Sequence, residues 1–145
     1  MTQQDRRLWL ARLLIGAVLA MNLQAALALL LMPARYAPAF ELSGAVGAAL
    51  VRSLGLLFLM WNVPYAVAAW HPLKNRVSLW EAVVMQALGV GGETLIWLAL
   101  GPGHPALAAT ATRFMGFDAA GLAALLAAVW VARDAKHQAQ GSIMP

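Results

Sequence analysis

This sequence of 145 residues contains no cysteine and few charges, and both absences narrow what the protein can be. Without cysteine it forms no disulfide, no thiolate metal site and no thiol-based redox centre. Charged residues make up only 11% of the chain and hydrophobic residues 62%, whereas a soluble domain has about 25% charged residues and is about half apolar. The chain therefore has too little polar surface to face water on all sides.

The sequence also lacks the residue sets that mark common catalytic chemistry. It has no Ser-His-Asp arrangement, phosphate-binding loop, dinucleotide fingerprint or paired catalytic carboxylates. Its histidines, His71, His104 and His137, fall at span ends or in tails, so they match neither a metal-ligand spacing nor a b-type haem. We predict no catalytic residues and no metal site. A lipid-modifying enzyme that uses Glu93 and Asp118 as acid and base is a minor alternative.

What the sequence does contain is long apolar blocks, separated by proline-containing breaks. Four of these blocks reach the roughly 20 residues that a helix needs to cross a bilayer. They cover residues 8–32, 44–70, 79–101 and 106–132. Ser78 and Glu81 fit a capping box at the start of the third block. We predict an all-α, integral membrane four-helix bundle that forms a single domain, with residues 133–145 as a polar tail.

Basic residues lie mainly at one end of the predicted bundle, and the other end has only Arg35 in its loops. The basic end holds Arg6, Arg7, Arg12, Lys74, Arg76, Arg133 and Lys136. Tryptophans, which anchor at membrane interfaces, also gather there, at positions 9, 70, 80 and 130. The positive-inside rule predicts that both termini are cytoplasmic. The net charge of +4 is thus explained by lipid headgroups, and we expect no nucleic-acid partner.

Every predicted span carries polar residues roughly 10–12 Å inside its less basic end, at 1.5 Å per helical residue. Asp118 lies five residues deeper than Arg113, and Gln86 lies seven residues deeper than Glu93. With these two, the resulting intramembrane polar cluster consists of Asn22, Arg52, Gln86, Glu93, Arg113 and Asp118. A charge at the centre of a membrane helix costs about 3 kcal/mol, and the charges of the four ionisable members sum to zero. We therefore expect Glu93 to pair with Arg52, with Arg113 or with both.

Helical spacing restricts which members of this cluster can meet. Gln86 and Glu93 share one stripe of the third span, which should face the bundle interior. Arg113 and Asp118 are five residues apart, about 140° around the helix, so they point in different directions. Asn22 likewise diverges from the other polar residue of its span, two positions further on. Two interpretations remain open: a structural network that holds the helices together, or a site for a ligand, a proton or a partner.

A second polar patch lies nearer the basic end of the second span. It consists of Trp61, Asn62 and Tyr65 around Pro64. Because proline removes a backbone donor, a kink is the first interpretation of this patch. An aromatic slot large enough for a quinone is the second interpretation.

Two segments resemble a known family. The proline-containing loop "LLMPARYAPAF" and the stretch "RSLGLLFLMW", which carries Arg52 and Gly55, are similar to the small DoxX-like bacterial membrane proteins. This resemblance implies a four-helix bundle of the bacterial inner membrane that sometimes serves as an accessory subunit of a membrane-bound oxidoreductase handling quinones. It implies no catalytic residues in this chain.

These observations favour a non-enzymatic membrane protein over an enzyme. The leading prediction is an accessory subunit of a larger membrane complex, or a binder of a lipid or quinone, with the polar cluster fixing the head of the ligand. Exposed small-residue ridges on the fourth span would support packing against a partner. The alternative is a small transporter or proton relay that uses Glu93. Because four helices rarely enclose a path alone, that alternative requires a homo-oligomer.

Overall fold

The structure is a computed structural model that describes the backbone of residues 2–141 and the side chains of residues 2–135. This part of the chain contains no strand. Its elements are α1 (Gln3–Leu31), α2 (Pro33–Tyr36), a 3-10 turn (Ala37–Phe40), α3 (Gly44–Trp61), α4 (Val63–Trp70), α5 (Arg76–Ala99) and α6 (Pro105–Gly141). Four segments are long and apolar enough to cross a membrane: α1, α3 with α4, α5, and α6 as far as Ala135. The all-α prediction with four candidate membrane spans is confirmed.

The capping box forms at a different helix from the one predicted. Helix α1 begins five residues earlier than expected, because the Thr2 hydroxyl accepts a hydrogen bond from the Asp5 amide at 3.2 Å and the Asp5 carboxylate accepts one from the Thr2 amide at 2.9 Å. The predicted box at Ser78 and Glu81 is wrong. Helix α5 already begins at Arg76 and has no side-chain cap, so Ser78 lies inside its first turn.

The fourth span also continues further than expected. Helix α6 extends to Gly141, so residues 133–141 are helical rather than a separate polar tail, and residues 142–145 lie outside the described part. The side chain of Asp134 forms an ion pair with Arg7 of α1 at 3.1 Å. This contact joins the beginning of the first span to the end of the fourth.

The second span is broken at Asn62, close to the predicted kink. Pro64 lies in the first turn of α4, where a missing backbone donor is tolerated. The Asn62 side-chain amide donates to the carbonyl oxygen of Phe58 at 2.6 Å, an acceptor that the broken helix leaves available. Helices α3 and α4 together still form one candidate membrane span.

This break divides the bundle into two halves. The terminal half comprises the starts of α1 and α5, the whole of α4 and the end of α6. Within it, helix α4 packs against both α1 and α5. The loop half comprises the ends of α1 and α5, helices α2 and α3, and the start of α6. Within it, helix α3 packs against α1. Within the described chain, no Cα atom of α3 lies within 8 Å of a Cα atom of α5. The backbones of α3 and α5 are therefore not in contact in the loop half.

The two halves also differ in their cores. The larger buried cluster belongs to the terminal half and is dominated by small and β-branched residues, with Ile15 and Leu125 fully buried. The buried cluster of the loop half contains only Leu29, Ala37 and Val51. The terminal half thus has a larger buried core than the loop half.

Candidate functional site

A buried hydrogen-bonded chain links three helices at the junction of the two halves. The Tyr65 hydroxyl of α4 donates to the side-chain carbonyl oxygen of Gln86 on α5 at 2.7 Å. The Gln86 amide nitrogen in turn donates to Asp118 Oδ1 on α6 at 2.7 Å. Tyr65 and Gln86 are each only 3% exposed. We refer to these residues as the Tyr65–Gln86–Asp118 chain.

Two glycines make room for this chain. A methyl group at Gly89 of α5 would overlap the Asp118 carboxylate, and one at Gly121 of α6 would lie 2.7 Å from the Gln86 amide nitrogen. Any larger residue at either position would displace one of the two polar side chains. The space between α5 and α6 is thus fitted to Gln86 and Asp118.

Further polar groups surround the chain. Glu93 lies one helical turn beyond Gly89 on the same face of α5, is half-buried, and is close enough to Asp118 for their charges to interact. Asn22 of α1, also half-buried, approaches the Tyr65 hydroxyl group. Asn62 is 4% exposed, and its Oδ1 atom has no hydrogen-bond partner within the described structure. Every span therefore contributes a polar side chain near this level.

The predicted pairing of Glu93 with arginine is wrong. Arg52 is exposed on α3 and donates to the Leu30 carbonyl oxygen at 3.4 Å. Arg113 is exposed on α6 and donates to the Thr110 hydroxyl at 3.0 Å. Neither guanidinium lies within ion-pair distance of a carboxylate in the described residues. Both long side chains are exposed and find backbone or hydroxyl acceptors instead of a carboxylate.

The predictions drawn from helical spacing agree with the structure. Arg113 is exposed while Asp118 is half-buried, so the two side chains do point in different directions. Asn22 is half-buried while Gln24, two residues further on, is exposed. Spacing on one helix thus gave the relative directions correctly, although it did not give the partners.

The predicted aromatic patch does not form one site. Tyr65 belongs to the hydrogen-bonded chain and Asn62 is buried, whereas Trp61 is 53% exposed and stacks on Phe58 with ring centroids 6.2 Å apart. Phe58 meets Phe114 of α6 edge-on at 5.9 Å. The aromatic residues therefore brace α3 against α6. Sequence reasoning missed this contact, since nothing in the spacing of the two phenylalanines links them.

Glu93 is only half-buried, near the exposed end of α5. Gln86 and Glu93 are seven residues apart, close to two full turns, so their side chains leave α5 in nearly the same direction. At the level of Gln86 that direction is occupied by Tyr65 of α4. At the level of Glu93 no backbone of the second span contacts α5 in the described chain, and the last turns of α5 remain exposed, with Leu95 at 69%. Glu93 is thus a half-buried carboxylate beside an exposed stretch of α5.

A separate contact fastens the two loops of the loop half. Glu41, which follows the 3-10 turn, meets His104 Nδ1 at 2.6 Å and accepts a hydrogen bond from the Leu107 amide at 3.3 Å. The hydrogen bond with His104 lowers the pKa of Glu41 below its ordinary value. Glu41 also has a left-handed backbone, with φ at 56°, which a side chain seldom adopts. This Glu41–His104 contact was missed from sequence, because its partners are 63 residues apart.

Comparison with known protein families, curated proteins and solved structures finds no match for this chain. The chemistry of the site must therefore be inferred from its own atoms. Among the described residues, no group of three or more histidine, aspartate or glutamate side chains is arranged to hold a metal ion. What the site offers is two neighbouring carboxylates, a buried amide oxygen and a hydrogen-bonded chain that ends on one of the carboxylates.

Proposed function

We propose that this chain is a small integral membrane protein that binds an amphipathic, lipid-like molecule between α3 and α5. The observation that carries the proposal is the half-buried Glu93 carboxylate on α5, at a level where the backbone of α3 does not contact α5, whereas α4 does contact it further along the bundle. A lipid-like molecule can reach such a site sideways from the bilayer without entering water. The basic residues and tryptophans of the terminal half support an orientation with both termini in the cytoplasm.

The hydrogen-bond directions favour a particular head group. Tyr65 donates to Gln86, and Gln86 donates to Asp118, so the donors of the chain are used internally. The half-buried group left without a hydrogen-bond donor in the described structure is the Glu93 carboxylate, an acceptor whose charge interacts with that of Asp118. An ammonium or hydroxyl head matches acceptors of this kind. A quinone presents carbonyl oxygens, which also accept, and is therefore the weaker candidate.

Binding of a long-chain amine tests this proposal. Purified protein in lipid nanodiscs is titrated with tetradecylamine, and with decylubiquinone for comparison, and the bound molecules are counted by native mass spectrometry. Glu93→Gln should weaken amine binding at least about tenfold, as expected for a lost hydrogen bond to a charged group. The control is Glu81→Gln, which changes an exposed acid on the same helix. Amine binding that survives Glu93→Gln would contradict the proposal.

A proton relay or transporter is the second candidate function. It is favoured by one specific observation: neither arginine pairs with Glu93, so the carboxylate is not held permanently in its charged form. In this role the four-helix chain would assemble as a homo-oligomer. Proton flux into liposomes should then stop in Glu93→Gln and persist in Glu81→Gln. Equal flux in the two variants would rule this role out.

An accessory-subunit role remains a third proposal, based on the DoxX-like resemblance. It is supported by the exposure of Ala119, Ala123 and Ala127, which form a small-residue ridge on the outside of α6. Such ridges let a partner helix approach closely. If a larger complex is extracted in mild detergent, Ala123→Leu should release this chain from it while preserving the helical fold. Retention of Ala123→Leu in the complex would exclude this face as the contact.

A further inference from the structure

A second, independent feature lies on the lipid-facing surface of the terminal half. A groove of about 870 Å³ runs between α4 and α5. Its apolar wall is formed by Pro64, Val77, Val84 and Met85. Val84 lies eight residues beyond Arg76 along α5, about 12 Å deeper at the helical rise. The groove therefore leads from the end of the helix into the depth occupied by acyl chains.

The mouth of this groove carries positive charge. Arg76 lines the groove and also lines a small neighbouring cavity together with Trp80 and Arg133 of α6. The Arg133 guanidinium carbon lies 5.6 Å from the centre of the Trp80 ring, a cation–π contact. Arg76 and Arg133 thus border the same small cavity beside Trp80, at the bundle end where most basic residues gather.

We propose that this groove binds an anionic phospholipid. The phosphate is held by Arg76 and Arg133, whose planar donors suit phosphate oxygens, and one acyl chain lies along the apolar wall. Basic pockets between membrane helices select anionic headgroups in this way. Glu81 also lines the groove and would repel a second negative charge. It can, however, accept a hydrogen bond from a hydroxyl group, so phosphatidylglycerol fits better than a lipid with a more highly charged head.

Lipid competition measured by native mass spectrometry tests the charge requirement. The detergent-solubilised protein is titrated with phosphatidylglycerol, phosphatidylcholine and phosphatidylethanolamine that carry the same acyl chains. We expect phosphatidylglycerol to bind about tenfold more tightly than the other two, with a preference that weakens as salt rises. The double variant Arg76→Gln/Arg133→Gln should lose this preference. Arg52→Gln, which changes an exposed arginine at the opposite end, should keep it.

The groove itself is tested separately from its charges. Val84→Trp fills the apolar wall and should reduce phosphatidylglycerol binding by about tenfold, whereas Val46→Trp, at an exposed position of α3 outside the groove, should leave it unchanged. Circular dichroism and thermal unfolding in the same detergent check that each variant is folded. The proposal is overturned if phosphatidylethanolamine binds as tightly as phosphatidylglycerol, if the double arginine variant keeps the preference, or if Val84→Trp binds normally.

Discussion

The terminal half and the loop half of this bundle are built from the same four spans, but the spans pack against different neighbours in the two halves. In the terminal half, α4 fills the space between α1 and α5, and the interior is apolar and tightly packed. In the loop half, α3 stays with α1, and α5 is left with α6 as its neighbour among the spans. The polar side chains lie where these two arrangements meet. The larger core of the terminal half can thus hold the fold together while the loop half is less tightly packed.

Leucines in the two halves give the largest expected contrast. Leu125 is fully buried in the terminal half, whereas Leu95 is 69% exposed in the loop half. Leu125→Ala should lower the free energy of unfolding by about 3 kcal/mol, because it leaves a cavity among close-packed helices. Leu95→Ala should change it by less than about 0.5 kcal/mol, since its side chain faces lipid. Unfolding in a mixed detergent titration measures both, and equal losses would contradict the division into halves.

Two glycines of the loop half, Gly55 and Gly91, differ in how closely other atoms approach them. A methyl group at Gly55 would lie 2.6 Å from the Leu30 amide nitrogen, so α1 and α3 are in backbone contact there. Gly55→Ala should therefore force the helices apart and cost about 2 kcal/mol. Gly91 of α5 has nothing within 4 Å, and Gly91→Ala should instead stabilise the helix by up to about 1 kcal/mol. A destabilised Gly91→Ala would mean that other atoms approach Gly91 more closely than described.

These contrasts also mark what the sequence could and could not predict. Apolar runs gave the four spans and proline gave the break near Asn62, because length and backbone chemistry are local properties. Spacing on α6 showed that Arg113 and Asp118 diverge. It did not show which of the two faces the interior, since that depends on how α6 is rotated against α1 and α5. The arginine pairing failed for this reason.

Other features depend on contacts between distant segments and left little trace in the sequence. The role of Gln86 as the link between Tyr65 and Asp118 requires three helices in register. Gly89 and Gly121 offered a signal, since small residues on facing helices allow close approach, but their polar neighbours were not predictable. The capping box failed because the motif is common by chance, and the chain before Ser78 was already able to begin the helix.

Coupling between substitutions tests the composition of the interior site. Tyr65→Phe and Gln86→Ala should not be additive, with an interaction of about 0.6 kcal/mol, the average for hydrogen bonds inside membrane bundles. Arg52→Gln and Glu93→Gln should be additive within about 0.3 kcal/mol, because those side chains do not touch. Both cycles are measured by thermal unfolding in one detergent. Strong coupling in the second cycle would restore the arginine pair and remove the basis for an accessible Glu93.

The smallest expected effect concerns the Glu41–His104 contact, which holds the loop half together at its exposed end. Because hydrogen bonding to His104 depresses the pKa of Glu41 from its ordinary 4.5, ionised Glu41 contributes stability that is complete above the unfolded value and is lost as the pH falls through the folded value. The melting temperature of the protein should therefore fall on acidification below about pH 4.5, and the slope should be shallower in Glu41→Gln and in His104→Ala.

The other end of the bundle supplies the control for this pH dependence. The Arg7–Asp134 ion pair joins α1 to α6 in the terminal half, so Arg7→Gln should leave the acid slope due to Glu41 intact. Glu41→Gly separates the two properties of residue 41: it removes the carboxylate and also relieves the left-handed backbone at φ 56°. Glu41→Gly should consequently melt higher than Glu41→Gln at every pH while sharing its shallow slope. Identical curves for Glu41→Gln and the unsubstituted protein would show that the Glu41–His104 contact contributes nothing to the stability of the loop half.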